Sequence, residues 1–205
     1  MNLKDTYNKI AADWNQTHQT DDWWVEGTDR FVSFLKSGDL VLDVGCGPGT
    51  KSKYLTGKGL RVFGIDLADK FIEIARQKVP EAEFAVLDMQ DAGKLEKDFD
   101  GIFAQASLLH IAKKDAMEVL RKLVAKLKPG GYLYVAVKEK RPGGADEEIK
   151  KENDYGYEYE RFFSYYALDE LKGYLHELGM ELCDSGAKPS GRTNWIHVIG
   201  KKHHT

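Results

Sequence analysis

The chain predicts a doubly wound α/β fold, and three observations carry that reading. Short apolar, β-branched runs alternate with amphipathic segments of helical period, the pattern of a parallel sheet covered by helices on both faces. A glycine-rich turn, Asp43-Val44-Gly45-Cys46-Gly47-Pro48-Gly49-Thr50, joins the first such run to the helix that follows. The next two runs each end on an acidic residue, Asp66 and Asp88.

Taken in order, Leu40–Val44 is a buried strand by its continuous apolar character. Thr50–Leu55 is a short helix stopped by Gly57 and Gly59. Arg61–Ile65 is a second strand, and it runs into a helix over Ala68–Val79 that Pro80 closes. Glu83–Leu87 and Phe99–Ala104 are the third and fourth strands. Between Asp115 and Leu127, Ala116, Val119, Leu120, Leu123 and Leu127 share one helical face. The turn Lys128-Pro129-Gly130-Gly131 follows, then a fifth strand from Tyr132 to Val137. Late in the chain, a helix over Leu168–Leu178 precedes strands at Met180–Cys183 and Trp195–Ile199, with Ser185–Thr193 expected as their connection.

A length of 205 residues fits one domain spanning 1–205, against about 150 for a typical domain. Two segments lie outside the alternation. Residues 1–36 read as two helices rich in polar and aromatic residues, and 139–166 as an aromatic-rich insertion; both are expected to act as lids. Apolar residues at 42% and charged residues at 31% exclude a disordered or collagen-like chain. The net charge of −3 provides no global field for polyanions. The two cysteines, Cys46 and Cys183, show neither zinc nor redox spacing, so no metal is expected and a reducing cytoplasm is the simpler location. A polar start and the lack of a run of about 20 apolar residues predict neither a signal peptide nor a membrane span.

The glycines of the loop allow positive φ and close approach of a ligand to the backbone. A dinucleotide fingerprint wants glycines at the first, third and sixth positions, whereas Thr50 holds the sixth here. Pro48 removes one N–H donor, and Asp43 brings a carboxylate that repels phosphate and suits a cation. A zwitterionic, cationic cofactor therefore fits better than a pyrophosphate. Asp66 lies where a carboxylate can take both hydroxyls of a ribose, although it can equally cap the following helix. Asp88 suits an exocyclic amine, with Met89 apolar beside a base; it can also be an ordinary turn residue.

Val41–Thr50, Asp66, Asp88 and the Leu127–Gly131 turn together resemble the successive motifs of class I S-adenosylmethionine-dependent methyltransferases. The likeness covers residues 38–138 well. It implies a Rossmann-like, mostly parallel seven-stranded sheet whose last strand is antiparallel. It also implies that Gly45, Cys46, Gly47 and Gly49 flank the methionine portion of S-adenosylmethionine, with Asp43 near its amino group. Asp66 and Leu67 would face the ribose, Asp88 and Met89 the adenine, and Gln105 a further cofactor position. The opening Tyr7 to Trp14 resembles a helix that the family often folds over the cofactor, and aromatic faces attract a sulfonium.

Methyl transfer needs alignment and exclusion of water more than a catalytic triad. His110, after the fourth strand, is the candidate base, with packing between strand and helix as the other reading. Tyr155, Tyr157 and Tyr159 alternate, which suggests an extended segment with one aromatic face. Tyr157 and Tyr159 could then form a wall for a planar acceptor, with Arg161 available for an anionic group; a self-packed insertion is the other reading. The leading expectation is a methyltransferase acting on O or N of a small molecule. Two alternatives remain: a tRNA wobble-uridine-type methyltransferase, which Arg161–Tyr166 and Asn194-Trp195 loosely resemble, and a non-catalytic S-adenosylmethionine-binding module.

Overall fold

A computed structural model describes residues 2–204. Two helices come first, α1 (Leu3–Thr17) and α2 (Val25–Val32), and the Asn2 side chain caps α1 by accepting the N–H of Lys4 at 3.1 Å. The alternation then follows as β1 (Leu40–Val44), α3 (Thr50–Gly57), β2 (Arg61–Asp66), α4 (Asp69–Lys78), β3 (Glu83–Val86), β4 (Phe99–Gln105), α5 (Lys113–Ala125) and β5 (Leu127–Lys138). A ribbon of β6 (Glu147–Glu152) and β7 (Tyr159–Ser164) precedes α6 (Leu168–Glu177), β8 (Met180–Ser190) and β9 (Thr193–Lys202).

The main sheet has seven strands in the order β3-β2-β1-β4-β5-β9-β8. Pairings among the first five are parallel, while β5–β9 and β8–β9 are antiparallel. The expected mostly parallel seven-stranded sheet is thus present. Strand order reverses between β1 and β4, and that is where a doubly wound sheet opens a crevice.

Period-two alternation divides the core between the two faces of the sheet. Leu42, Ile102, Leu133 and Val135 pack with Leu120 and Leu123 of α5 and Leu171 of α6. Val41, Phe103, Tyr134 and Ala136 face the other way and meet Phe31 of α2 and Leu55 of α3. With both faces covered, the central strands are mostly apolar along their middles, which is why they are readable as plain hydrophobic runs.

Three local expectations are corrected. The late strands run through Ser185–Thr193: Ser185 pairs with Val198 and Ser190 with Thr193, so only Gly191-Arg192 connects them. The Lys128–Gly131 turn is absorbed into β5, where Leu127 already pairs with Phe99 before a register shift. The three alternating tyrosines do not form one extended row. Residues 153–158 turn at Gly156, whose φ is +80°, and only Tyr159 joins a strand. No helix among the described residues is long and apolar enough to cross a membrane.

Candidate functional site

A cavity of about 310 Å³ opens at the carboxyl ends of β1, β2, β4 and β5. Its floor is the glycine loop. Gly45 has φ +68°, and a Cβ there would lie 2.5 Å from Cβ of Ser107, so both conformation and space demand glycine. Gly47, at φ +52°, would meet nothing within 4 Å and lines the cavity. Cys46, also in the wall, is buried. Gly49 serves the loop differently: its hypothetical Cβ would sit 3.1 Å from Ala75, so it permits close packing on α4 and does not line the cavity.

Asp66 ties the loop to the second strand. Its Oδ2 accepts the N–H of Gly47 and its Oδ1 the N–H of Ala68, both at 2.9 Å. Burial pushes its pKa up to about 6, against the pull of those two donors. The capping reading is corrected, since the carboxylate holds the N–H of Ala68, the N-cap residue itself, and so fixes the turn into α4 without capping the helix, while it still faces the cavity. Asp43 lies beneath the loop and outside the cavity wall; its Oδ2 accepts from Ser52 Oγ at 2.6 Å, and burial lifts its pKa to about 6.

Leu67, Phe71 and Met89 supply an apolar side. Asp88 lies just beyond, in a shallower depression that shares Leu67, Met89 and His110 with the main cavity. There its Oδ1 caps the following 3₁₀ turn through the N–H of Gln90 at 2.9 Å. Gln105 is buried in the wall, its Oε1 accepting from the Tyr134 hydroxyl at 2.8 Å. The next residue, Ala106, adopts φ +58°, a left-handed conformation that non-glycine residues rarely take away from functional sites. It aims Ser107 at the loop, and the Ser107 hydroxyl is buried with no partner among the described residues.

Helix α1 closes the cavity. Tyr7 and Trp14 both line it, 6.1 Å apart and edge-on, and Trp14 stacks on His18 at 3.7 Å. The Tyr7 hydroxyl lies 2.6 Å from His110 Nε2, and His110 Nδ1 lies 2.7 Å from the Phe162 carbonyl oxygen. A carbonyl only accepts, so Nδ1 carries the proton and Nε2 accepts from Tyr7. Burial drives the His110 pKa down to about 3 and that of Tyr7 up to about 12, so the pair is neutral. The expected free base is therefore corrected: His110 is held at both nitrogens.

The acceptor-wall expectation is corrected as well. Tyr157 donates to Asp13 Oδ2 at 2.6 Å and Tyr159 to Asp154 at 3.1 Å; neither lines the cavity. They cluster with Tyr155 against α1 and clamp it from outside. Arg161 reaches the cavity, but Glu152 holds its guanidinium in two bonds of 2.5 and 2.7 Å, so it is not free for another anion.

Several wall residues escaped notice as site residues, four of them notable for charge or stacking. Trp23 and Trp195 stack at 3.9 Å, and Lys51 and Lys138 both face the cavity. Lys51 directly follows the loop and Lys138 ends the apolar run of β5, so a polar residue closing each motif was the available signal. The Trp23–Trp195 stack joins segments 172 positions apart and leaves no local trace.

A methyltransferase-domain model matches residues 41–131. The chain is 29% identical over 165 residues to 27-O-demethylrifamycin SV methyltransferase of Amycolatopsis mediterranei, a match covering 75% of this chain and 59% of that protein. It is 34% identical over 131 residues to phosphoethanolamine N-methyltransferase 1 of Triticum aestivum, covering 60% of this chain and 26% of that protein. Both curated relatives are thus substantially longer than the region they share with this chain. Among solved structures, the 1,6-didemethyltoxoflavin-N1-methyltransferase of Burkholderia thailandensis, bound to 1,6-didemethyltoxoflavin and S-adenosylhomocysteine, superposes with a TM-score of 0.77 at 18% identity, covering 98% of this chain and 87% of that one. Matched domain, strand order and glycine-loop architecture agree: residues 41–131 match a methyltransferase domain, and the whole chain has the fold of the S-adenosylhomocysteine-bound methyltransferase it superposes on.

Proposed function

We propose that this chain transfers the methyl group of S-adenosylmethionine to an oxygen or nitrogen of a small molecule. The observation that carries the reading is the cavity at the strand-order reversal, where the loop, Asp66 and the unpartnered Ser107 hydroxyl face one space under the Tyr7–Trp14 lid. The residues fit such a cofactor. Gly47 leaves its side open, Asp66 retains lone pairs for ribose hydroxyls, and Leu67, Phe71 and Met89 suit a flat base. Lys51, half-buried in the wall, suits a carboxylate. When bound, the cofactor supplies a methyl carbon on a positive sulfur, which an acceptor lone pair takes while the carbon–sulfur electrons return to sulfur.

The chain's own contribution is alignment and the exclusion of water. Tyr7 and Trp14 would cover the donor, and His110 acts as a positioning residue that locks Tyr7 to the backbone of β7. The test is incubation with methyl-labelled cofactor and separate pools of phenols, amines, carboxylic acids and tRNA. Label in a small-molecule pool is expected. Label in tRNA alone would replace this reading with the RNA one, and tight cofactor binding without transfer to any pool would favour a binding module.

A further inference from the structure

Lys138 closes β5 and stands opposite Trp195 in the β9 register, so both occupy the same end of the cavity. Its ammonium lies 4.1 Å from the ring centre of Phe163 and 5.8 Å from that of Trp195. No hydrogen bond or ion pair among the described residues holds its Nζ. The two carboxylates whose charge reaches it are already engaged, Glu152 by Arg161 and Glu148 by the Tyr165 hydroxyl. Burial lowers its pKa to about 8, and Arg161 beside it acts in the same direction. A half-buried lysine without a counter-charge in a cavity wall is costly unless something anionic joins it.

The charge count assigns that partner. Two lysines without carboxylate partners face the cavity, Lys51 at the loop and Lys138 beyond β4. On the cofactor reading above, on which this inference rests, the donor has one carboxylate, and its amino-acid end lies at the loop beside Lys51. Nothing in the donor remains for Lys138. The rings beside Lys138 in the cavity wall are flat and apolar: the Trp23–Trp195 stack and Phe163.

We propose that the methyl acceptor is a planar aromatic carboxylate whose charge is bound by Lys138 and whose ring lies against Trp195 and Phe163. Lys138 is thereby the residue that selects acids over their neutral analogues.

The test uses calorimetric titration of the full chain, saturated with S-adenosylhomocysteine, with benzoate, 4-hydroxybenzoate and 1-naphthoate and with their three amides. At least one acid is expected to bind ten-fold or more tightly than its amide. That ratio should fall to near one in Lys138→Met, survive within about three-fold in Lys138→Arg, and leave S-adenosylhomocysteine affinity within about two-fold in both variants. Equal binding of acid and amide, no binding by any acid, or an undiminished ratio in Lys138→Met would overturn the proposal. So would a loss of S-adenosylhomocysteine binding in Lys138→Met, which would assign the lysine to the cofactor. Failure of the wild-type chain to bind S-adenosylhomocysteine at all would instead remove the cofactor reading, and this inference with it.

Discussion

The cavity has two differently built ends. Around β1 and β2 its wall comes from residues close in sequence, and main-chain donors hold its charge: Asp66 takes the N–H groups of Gly47 and Ala68. Around β5 and β9 the wall is made of side chains from distant segments. Trp23 meets Trp195, Phe163 meets Lys138, and Arg161 is neutralised by Glu152 across the β6–β7 ribbon. The first end is a rigid backbone cradle suited to an invariant ligand. The second is a set of side chains drawn from the ends of β5 and β9, the segment before α2 and a ribbon outside the main sheet, which is where specificity can change without disturbing the fold.

The sharpest way to break this comparison is Asp66→Ala. It removes the proposed ribose partner and the anchor of Gly47 together. Hydrogen bonds to a charged group contribute about 1.5–3 kcal/mol each, so a loss of at least about 100-fold in S-adenosylhomocysteine affinity is expected by calorimetry. An affinity within five-fold of wild type would show that the cradle does not hold the ribose.

Glu152→Gln probes the other end. Arg161 and Glu152 are both almost fully buried, and burial opposes the guanidinium charge that Glu152 sustains. Leaving one charge unpaired costs about 3 kcal/mol or more. The expected outcome is a lower urea midpoint, or earlier proteolysis within 139–166, while S-adenosylhomocysteine affinity falls much less than in Asp66→Ala. Equal losses in the two variants would mean that the two ends are not separable.

Acidity sharpens the same contrast. The raised pKa of Asp66, about 6, means that the empty site takes up a proton as pH falls through that value. Ribose hydroxyls need the ionised acceptor, so S-adenosylhomocysteine affinity should weaken by up to about ten-fold per unit as pH falls from 6 to 5. Asp66→Asn should abolish that slope. A wild-type affinity that stays flat between pH 7 and 5 would contradict the role.

The smallest effect is expected at the seam between the ends. Tyr7→Phe removes the hydrogen bond to His110, a net contribution of about 1 kcal/mol, so a two- to five-fold rise in the S-adenosylhomocysteine dissociation constant is predicted.

How much could be read beforehand follows the same division. The strands β1, β2, β4 and β5 are buried on both faces, so their apolar runs were legible, and so were the loop, the acid that ends β2 and the acid two residues beyond β3. The Glu147–Glu152 segment looks like a solvated charge run, because the ribbon exposes most of it and nothing apolar marks its pairing with β7. Gly156 broke the tyrosine alternation by a positive-φ turn, and a glycine among tyrosines was the available sign. His110 lines the cavity, but its two hydrogen-bond partners come from Tyr7 and Phe162, which no spacing rule brings together. Lys138 read as the end of a strand, and only the fold reveals that its neighbours leave it without a carboxylate.

The central claim is that the glycine loop and Asp66 form an S-adenosylmethionine site rather than a dinucleotide site. Thermal unfolding of the wild-type chain with S-adenosylhomocysteine or with NAD, each in large excess, tests it most directly. At 100 times its dissociation constant, a ligand adds about 2.7 kcal/mol of stability by mass action. The account predicts a clear rise in Tm with S-adenosylhomocysteine, lost in Asp66→Ala, and no rise with NAD. Stabilisation by NAD, or none by S-adenosylhomocysteine, would contradict it.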